Sequence, residues 1–276
     1  MFAKGGYASF PALFAARILR VPVIIHETDT IPGKVTLWAS KFAKRIAISF
    51  PEAAKYFSVE KTALVGNPVR REVIGGTTQE ARDIFKLEAG LPVILALGGS
   101  QGSQKINDSI LDIISELLEF SQVIHQTGEN NFESAKLRAD LVLEKSVFSR
   151  RYHPEALLDE EKYRSASKVA DVVIARAGGG SIFEIAAWGV PAILIPLPGA
   201  AQDHQRENAY AYARAGGAEV LEEQNLTPHI LLSRIKKILE DETRRLKMIQ
   251  SAKAFSKLDA ADKIADEIIK LTIQHA

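Results

Sequence analysis

Short β-branched runs alternate with helix-periodic segments along almost the whole of this chain, and its glycine-rich turns fall where the runs end. Few folds satisfy that pattern: it calls for parallel strands joined by helices that cover both faces of a sheet, an α/β architecture. Strands are predicted at 21–26, 45–49, 62–65, 92–97, 122–126, 146–152, 171–175 and 191–195. Helices are predicted at 8–19, 34–43, just after Pro51, at 132–143 and 154–168, from Ser181 onward, and near 227–239 and 260–272. Another helix is marked by Ile106, Ile110, Ile113, Ile114, Leu117 and Leu118, which follow the 3.6-residue period. The first helix has no predicted strand ahead of it. Ligands in such folds sit beyond the carboxyl ends of the strands.

Gly66-Asn67-Pro68 interrupts the alternation, and Gly75-Gly76-Thr77-Thr78 reads as a linker. Residues 79 onward are long enough for a complete doubly wound unit. Residues 1–70 hold about half of one, so the chain is expected to begin inside a domain and to be N-terminally truncated. Hydrophobic residues make up 46% and charged residues 25%, the balance of a soluble globular protein. The absence of cysteine excludes disulfides and thiolate metal sites. No apolar run approaches the ~18 residues of a membrane span, and Met1-Phe-Ala-Lys does not open a signal peptide. Charge is uneven: residues 1–70 carry about +6 and the rest about −5. A basic front half suits an anionic partner such as a phosphate headgroup, a pyrophosphate or a nucleic acid, or is simply a solvated surface.

The densest chemistry lies between Ala175 and Ala209. A strand breaks at Gly178-Gly179-Gly180, and a helix is expected to open at Ser181 with Glu184 in its first turn. Glycines let backbone approach a ligand, and a helix N-terminus favours negative charge. A carboxylate there fits a sugar diol, although Ser181-Ile-Phe-Glu184 fits a capping box equally well. After the next strand, Gln202, Asp203, His204 and Gln205 form a polar turn in which Gln205 suits sugar hydroxyls. Gly98-Gly99-Ser100-Gln101-Gly102 is a second glycine turn between strand and helix. It matches neither the dinucleotide fingerprint nor the Walker motif, yet it offers free N–H groups and the Ser100 hydroxyl to a phosphate. Two such turns in one sheet suit a nucleotide diphosphate.

Arg70 stands at the junction of the halves, placed either to reach a ligand in a cleft or to cap a solvated turn. His26 follows a strand and precedes Glu27 and Asp29. With no H-E-x-x-H pattern and no second histidine at ligand spacing, a metal role is rejected, leaving a structural histidine or a base. Phe10, Phe14, Trp38, Phe42 and Phe50 interleave with Arg17, Arg20, Lys41, Lys44 and Arg45. This is either a membrane-facing patch or ordinary core.

In chain order, Gly5-Gly6-Tyr7 with Pro11, Pro22 to Glu27 with Ile31-Pro32-Gly33, Val65 to Arg70, and Leu97 to Gly102 with Asn107 make up one half of a pattern. Ala170-Asp171, Arg176 to Gly178, Glu184 to Ala187 with Gly189 and Pro191, and Asp203 to Gln205 with Asn208-Ala209 complete it. The chain resembles the MurG-type N-acetylglucosaminyltransferases of bacterial peptidoglycan synthesis, within glycosyltransferase family 28.

The resemblance implies a GT-B fold, two Rossmann-like domains facing a cleft, the N-terminal one incomplete. It divides the chain into a partial acceptor and membrane-side domain at 1–70, a linker at 71–78, a UDP-sugar domain at 79–257 and a final helix at 258–276 that crosses back onto the first domain. The implied partners are UDP-N-acetylglucosamine, a polyprenyl-pyrophosphate-linked acceptor and an anionic membrane surface, with no nucleic acid, no metal and no cofactor. The implied location is peripheral, on the cytoplasmic face of the bacterial cell membrane. Arg70 and Ser100 would contact the nucleotide. Gly179, Gly180, Ser181, Ile182, Phe183 and Glu184 would wrap phosphates and ribose, with Glu184 on the ribose hydroxyls, and Gln205 would contact the sugar.

The implied reaction is inverting transfer of N-acetylglucosamine to the muramyl sugar of lipid I, giving lipid II. Two positions depart from the family. Asp29 stands where an asparagine usually contacts the sugar. The N-terminal glycine loop, whose histidine is the family's candidate base, is absent, which leaves the catalytic residue unassigned and His26 a weak candidate. The alternatives are a related GT-B transferase with another lipid or sugar acceptor, and a donor-binding protein inactive without that loop.

Overall fold

The computed structural model of the protein describes residues 1–99 and 101–274. Among them the strands are β1 (Phe2–Ala3), β2 (Ile24–Glu27), β3 (Arg45–Ile48), β4 (Thr62–Leu64), β5 (Val93–Leu97), β6 (Gln122–Gln126), β7 (Tyr152–Glu155), β8 (Val172–Ala175), β9 (Ala192–Leu194) and β10 (Ala218–Val220). The helices are α1 (Phe10–Ile18), α2 (Lys34–Ser40), α3 (Thr78–Phe85), α4 (Gln104–Leu111), α5 (Ile114–Phe120), α6 (Phe132–Val142), α7 (Glu160–Val169), α8 (Gly179–Trp188), α9 (His204–Arg214), α10 (Pro228–Glu240), α11 (Glu242–Phe255) and α12 (Ala260–Ile273). All strand pairs are parallel. One sheet runs β1-β2-β3-β4 and the other β10-β9-β8-β5-β6-β7. The second order is the doubly wound one, and its direction reverses between β5 and β8.

Strand alternation sorts the second sheet's side chains into two cores. Ile94, Ala96, Val123, Val172, Ile174 and Ile193 face α4, α5 and α10. Leu95, Leu97, Ile124, Val173, Ala175 and Leu194 face α8, α9 and their neighbours. A smaller core under α1 and α2 holds Leu13, Val23, Ile25, Ile46 and Ile48. Among the contacts that join the sheets' surroundings are those at Phe50 and at α12. Phe50, just after β3, is buried edge-on against Phe183 of α8 at 5.3 Å and packs on Phe255 of α11 at 5.8 Å. At the chain's far end, α12 places Ile264 against Ala47 and Val65, and Glu267 takes a 2.7 Å bond from Arg45.

Several expectations are corrected. The first helix does follow a strand: Phe2 and Ala3 pair with Ile24 and Ile25, a ladder too short to leave a pattern. The strand expected at 146–152 instead starts at Tyr152, because its ladder with β6 begins at the Val123↔Tyr152 pair. Pro154, expected to open a helix, lies in β7, where an edge strand tolerates a missing N–H. The helix starts at Glu160, capped by the Asp159 carboxylate on Lys162 N at 2.8 Å. A helix that the sequence pattern does not show, α3, opens at the end of the expected linker, and its capping box pairs Thr77 Oγ1 with Glu80 N and Glu80 Oε2 with Thr77 N. The expected polar turn at 202–205 begins with left-handed Gln202 and Asp203 (φ 56° and 58°), and His204 already opens α9. Also outside the sequence pattern are β10 and α11.

His125 ties the second sheet together beneath the Gly98–Gly102 turn. Its Nε2 and Nδ1 lie 3.0 Å from Asn107 Oδ1 and Tyr152 Oη. Asn107 Nδ2 donates to the Thr127 carbonyl, so Asn107 Oδ1 accepts from His125 Nε2–H, and Tyr152 donates to Nδ1. Burial pushes His125 down to about 3, His26 and His153 down to about 4, and Glu27 up to about 7. At pH 5.5 the unfolded chain therefore takes up a proton at each histidine and releases one at Glu27. Unfolding at that pH is expected to absorb about two protons, and stability to fall as pH drops from 6.5 toward 4. Calorimetry in buffers of different ionisation enthalpy, with urea midpoints at pH 7.5, 6.5 and 5.5, checks this; a flat profile contradicts it.

Candidate functional site

The glycine turn after β5 is shaped by contacts that exclude a side chain. Gly99 and Gly102 have φ of 85° and 76°, and a Cβ on Gly102 would lie 2.2 Å from the Thr127 carbonyl. Ser100, the expected phosphate ligand of this turn, lies outside the described residues. Ser103 caps α4 through Ile106 N and accepts a 2.7 Å bond from Arg176 Nη2. Arg176, at the end of β8, also donates to the carbonyls of Ile195 and Pro196 and pairs with Glu223 at 2.6 Å. It thus ties the ends of β5, β8 and β9 together.

The second glycine turn enters α8 two residues earlier than expected. Gly178 is the extended residue before the helix, so Ser181 lies inside the first turn and Glu184 in the second. The anticipated capping box is therefore not formed, and the Glu184 carboxylate is directed elsewhere. Its Oε2 accepts a 2.9 Å bond from the Tyr163 hydroxyl, and its Oε1 lies 3.4 Å from Nε and Nη2 of Arg70. Ile182 and Phe183 are buried in the core, so only their backbone is available to a ligand.

These groups surround a cleft of about 650 Å³ lined by Arg70, Gly99, Tyr163, Arg176, Gly180, Ser181 and Glu184. It opens between the carboxyl ends of β5 and β8, where the strand order reverses. A cavity of about 410 Å³ lies at the amino ends of β5 and β6, beside Pro92 and Gln122, away from both glycine turns. Only the first has the position at which such sheets bind ligands. It combines a helix N-terminus, glycine backbone, two arginines and, besides Glu184, the acidic pair Asp159 and Glu160 at the start of α7; the first three suit phosphates and Glu184 suits a diol.

The remaining expected residues do not line that cleft. His26 is fully buried, with Nε2 3.0 Å from both the Gly66 carbonyl and Ser49 Oγ. Glu27 turns its Oε1 to the N–H groups of Thr28 and Asp29. Asp29 Oδ1 accepts a 2.7 Å bond from Asn208 Nδ2, while Asn208 Oδ1 accepts from Thr30 N and Thr30 Oγ1 at 2.8 and 3.0 Å. This clasp brings the loop after β2 onto α9 and α8. Gln205, in the first turn of α9, accepts from Leu197 N at 3.1 Å. Of the aromatic set, Phe50 is core, whereas Phe10 and Phe14 are 40% and 49% exposed. Phe10 and Trp38 pack at 4.9 Å, and the Arg17 guanidinium lies 5.3 Å from the Phe42 ring centroid.

Tyr163 lies outside every sequence motif, and Arg176 and Asn208 stand in the family pattern without a role attached. Nothing local marks Tyr163, since its partner Glu184 lies 21 positions away. The sequence separation between Asn208 and Asp29 is 179.

The glycosyltransferase family 28 C-terminal domain matches residues 93–264, and the N-terminal domain of the same family matches residues 1–48. The UDP-N-acetylglucosamine--N-acetylmuramyl-(pentapeptide) pyrophosphoryl-undecaprenol N-acetylglucosamine transferase of Thermodesulfovibrio yellowstonii is 37% identical over 96% of this chain and 71% of its own length. The transferase of the same description from Trichodesmium erythraeum is 36% identical over 96% of this chain and 67% of its own. Among solved structures, Acinetobacter baumannii MurG superposes with a TM-score of 0.74 at 26% identity, covering 98% of this chain and 72% of that one.

Replacing Asn208 with alanine would strand the buried N–H of Thr30 and release Asp29. Asn208→Ala is expected to cost about 3 kcal/mol of folding stability, the scale of lost buried hydrogen bonds with a charged partner among them. Urea denaturation reads the loss, and a change below about 0.5 kcal/mol, the range of ordinary surface substitutions, contradicts the clasp.

Proposed function

The chain belongs to glycosyltransferase family 28, and from that membership we propose that it transfers N-acetylglucosamine from UDP-N-acetylglucosamine to the muramyl sugar of a polyprenyl-pyrophosphate-linked acceptor, the lipid I to lipid II step of peptidoglycan synthesis. The observation that carries the donor half is the convergence of Glu184, Arg70 and the α8 N-terminus on one cleft at the strand-order reversal. In this reading Glu184 accepts from the ribose hydroxyls and the backbone of Gly179 to Phe183 faces the phosphates. Arg70 is freed from Glu184 to meet the nucleotide. Gln205 and Asp29, each now held by a protein partner, turn to the sugar as the donor enters.

The acceptor's 4-hydroxyl attacks the anomeric carbon from the face opposite the nucleotide. The bond to UDP breaks as the new glycosidic bond forms, and a base on the acceptor side removes the proton. Negative charge growing on UDP is met by the helix N-terminus and by Arg70, so the step calls for no metal. The base is not assigned; His26 is hydrogen-bonded and wholly buried.

The proposal divides the chain into an acceptor and membrane-side unit at 1–70, a connection at 71–78, a donor unit at 79–257 and a bracing helix at 258–276. No helix among the described residues is long and apolar enough to cross a membrane. Exposed Tyr7, Phe10, Phe14, Ile18 and Leu19, with Arg17 and Arg20 between and beside them, suit an anionic lipid surface on the cytoplasmic side.

Calorimetry with UDP-N-acetylglucosamine tests the donor half. Wild type is expected to bind, and Glu184→Ala to bind at least about tenfold more weakly, the scale of charge-assisted hydrogen bonds. Failure to bind any uridine nucleotide would sink the reading. Transfer to a lipid I analogue, measured with the same protein, tests the acceptor half; binding without turnover would leave a donor-binding protein.

A further inference from the structure

Tyr163 has no place in the donor reading so far, yet it makes the shorter of the two contacts to Glu184. Its hydroxyl donates to Oε2 at 2.9 Å, whereas Arg70 approaches Oε1 at 3.4 Å. The two oxygens of one carboxylate are therefore held unequally. The Arg70 side chain is 55% exposed, so its ion pair is weak and easily exchanged. The Tyr163 bond is charge-assisted and partly buried, and so the firmer one.

The tyrosine is itself braced. Its ring meets Trp188 edge-on, with centroids 5.1 Å apart at 71°. Trp188 Nε1 donates to the Val73 carbonyl at 2.9 Å, which pins the chain just beyond Arg70 to the same helix. Burial and the neighbouring carboxylate push the phenol well above its ordinary value, so its proton stays available for donation. With Oε2 anchored, rotation of the carboxylate about its terminal torsion is stopped, a torsion that is otherwise broad.

We propose that Tyr163 is a positioning residue of the donor site: its hydroxyl fixes the plane of the Glu184 carboxylate so that Oε1 is presented to the ribose diol of a uridine nucleotide. This rests on the donor reading above. Binding exchanges the Arg70–Oε1 contact for the diol and leaves the Tyr163–Oε2 contact in place. Arg70, whose guanidinium lies 5.8 Å from the Tyr163 ring centroid, is released to the nucleotide from beside that ring.

The test compares UDP with 2′,3′-dideoxyuridine diphosphate by calorimetry, on wild type, Tyr163→Phe, Glu184→Ala and the double variant. Tyr163→Phe is expected to weaken UDP roughly tenfold, as the loss of one hydrogen bond to a charged group does. Its affinity for the dideoxy nucleotide, which has no diol to receive, should stay within about twofold, and this also reports that the variant is folded. In the Glu184→Ala background the tyrosine substitution should cost nothing more. In turnover, the donor KM should rise by about the same factor while kcat holds. Equal weakening of both nucleotides, or an undiminished effect in the Glu184→Ala background, overturns the proposal, because Tyr163 would then act through packing. Unchanged UDP binding by Tyr163→Phe overturns it while leaving the donor reading intact. Wild type that binds no uridine nucleotide sinks both.

Discussion

The first turn of α8 lies so close to the loop after β2 that residue 179 must be glycine. A Cβ there would stand 2.4 Å from the Thr28 carbonyl and 3.1 Å from Asp29 Oδ1. Backbone resting on backbone is the closest fit available to two elements, and the rest of the site is built around it. Only with the loop in that place can Thr30 reach Asn208, and Asn208 reach Asp29. Four residues along the helix, Phe183 receives Phe50 from the first sheet, and a Cβ on Gly66 would meet the same ring at 3.4 Å. One helix is thus a wall of the ligand cleft on one side and the seam between two sheets on the other.

The glycine turn after β5 is stiffened from behind by groups that carry no net charge. Asn107, His125 and Tyr152 form a closed chain of hydrogen bonds under the turn after β5, with the imidazole held neutral by burial. Formal charge near that turn comes from the side, where Arg176 spans three strand ends. This arrangement fixes backbone N–H groups without placing a competing anion beneath them, which is the form of preorganisation that an anionic ligand rewards.

Much of the architecture was legible because the buried strands carry short β-branched or apolar cores between helix-periodic segments. The strand at 122–126 was predicted with its observed ends, and those at 45–49 and 171–175 to within one residue at either end. Legibility failed where a boundary depends on a partner. The start of β7 is set by where β6 begins, and β1 exists only because β2 lies beside it. The T-x-x-E signature that caps α3 directly follows Gly75 and Gly76, whose linker signal masks it. Of the residues expected to bind substrate from residue type, place in the chain and the family resemblance, Arg70, Gly180, Ser181 and Glu184 line the cleft. The bonds they and Asp29 make were not legible, since Tyr163 and Asn208 carry no local sign of what they face.

The contact between Arg45 and Glu267 spans 222 positions, and Ile264 covers Ala47 and Val65 across a similar distance. Translation runs from the first of these residues to the last at about 5–20 residues per second, so the interval is on the order of ten to forty seconds. Throughout that time β3 is already made while the helix that shelters one of its faces is not. The first sheet is therefore the part of the nascent chain that waits longest for its cover, and the last to become resistant to anything that recognises open apolar surface.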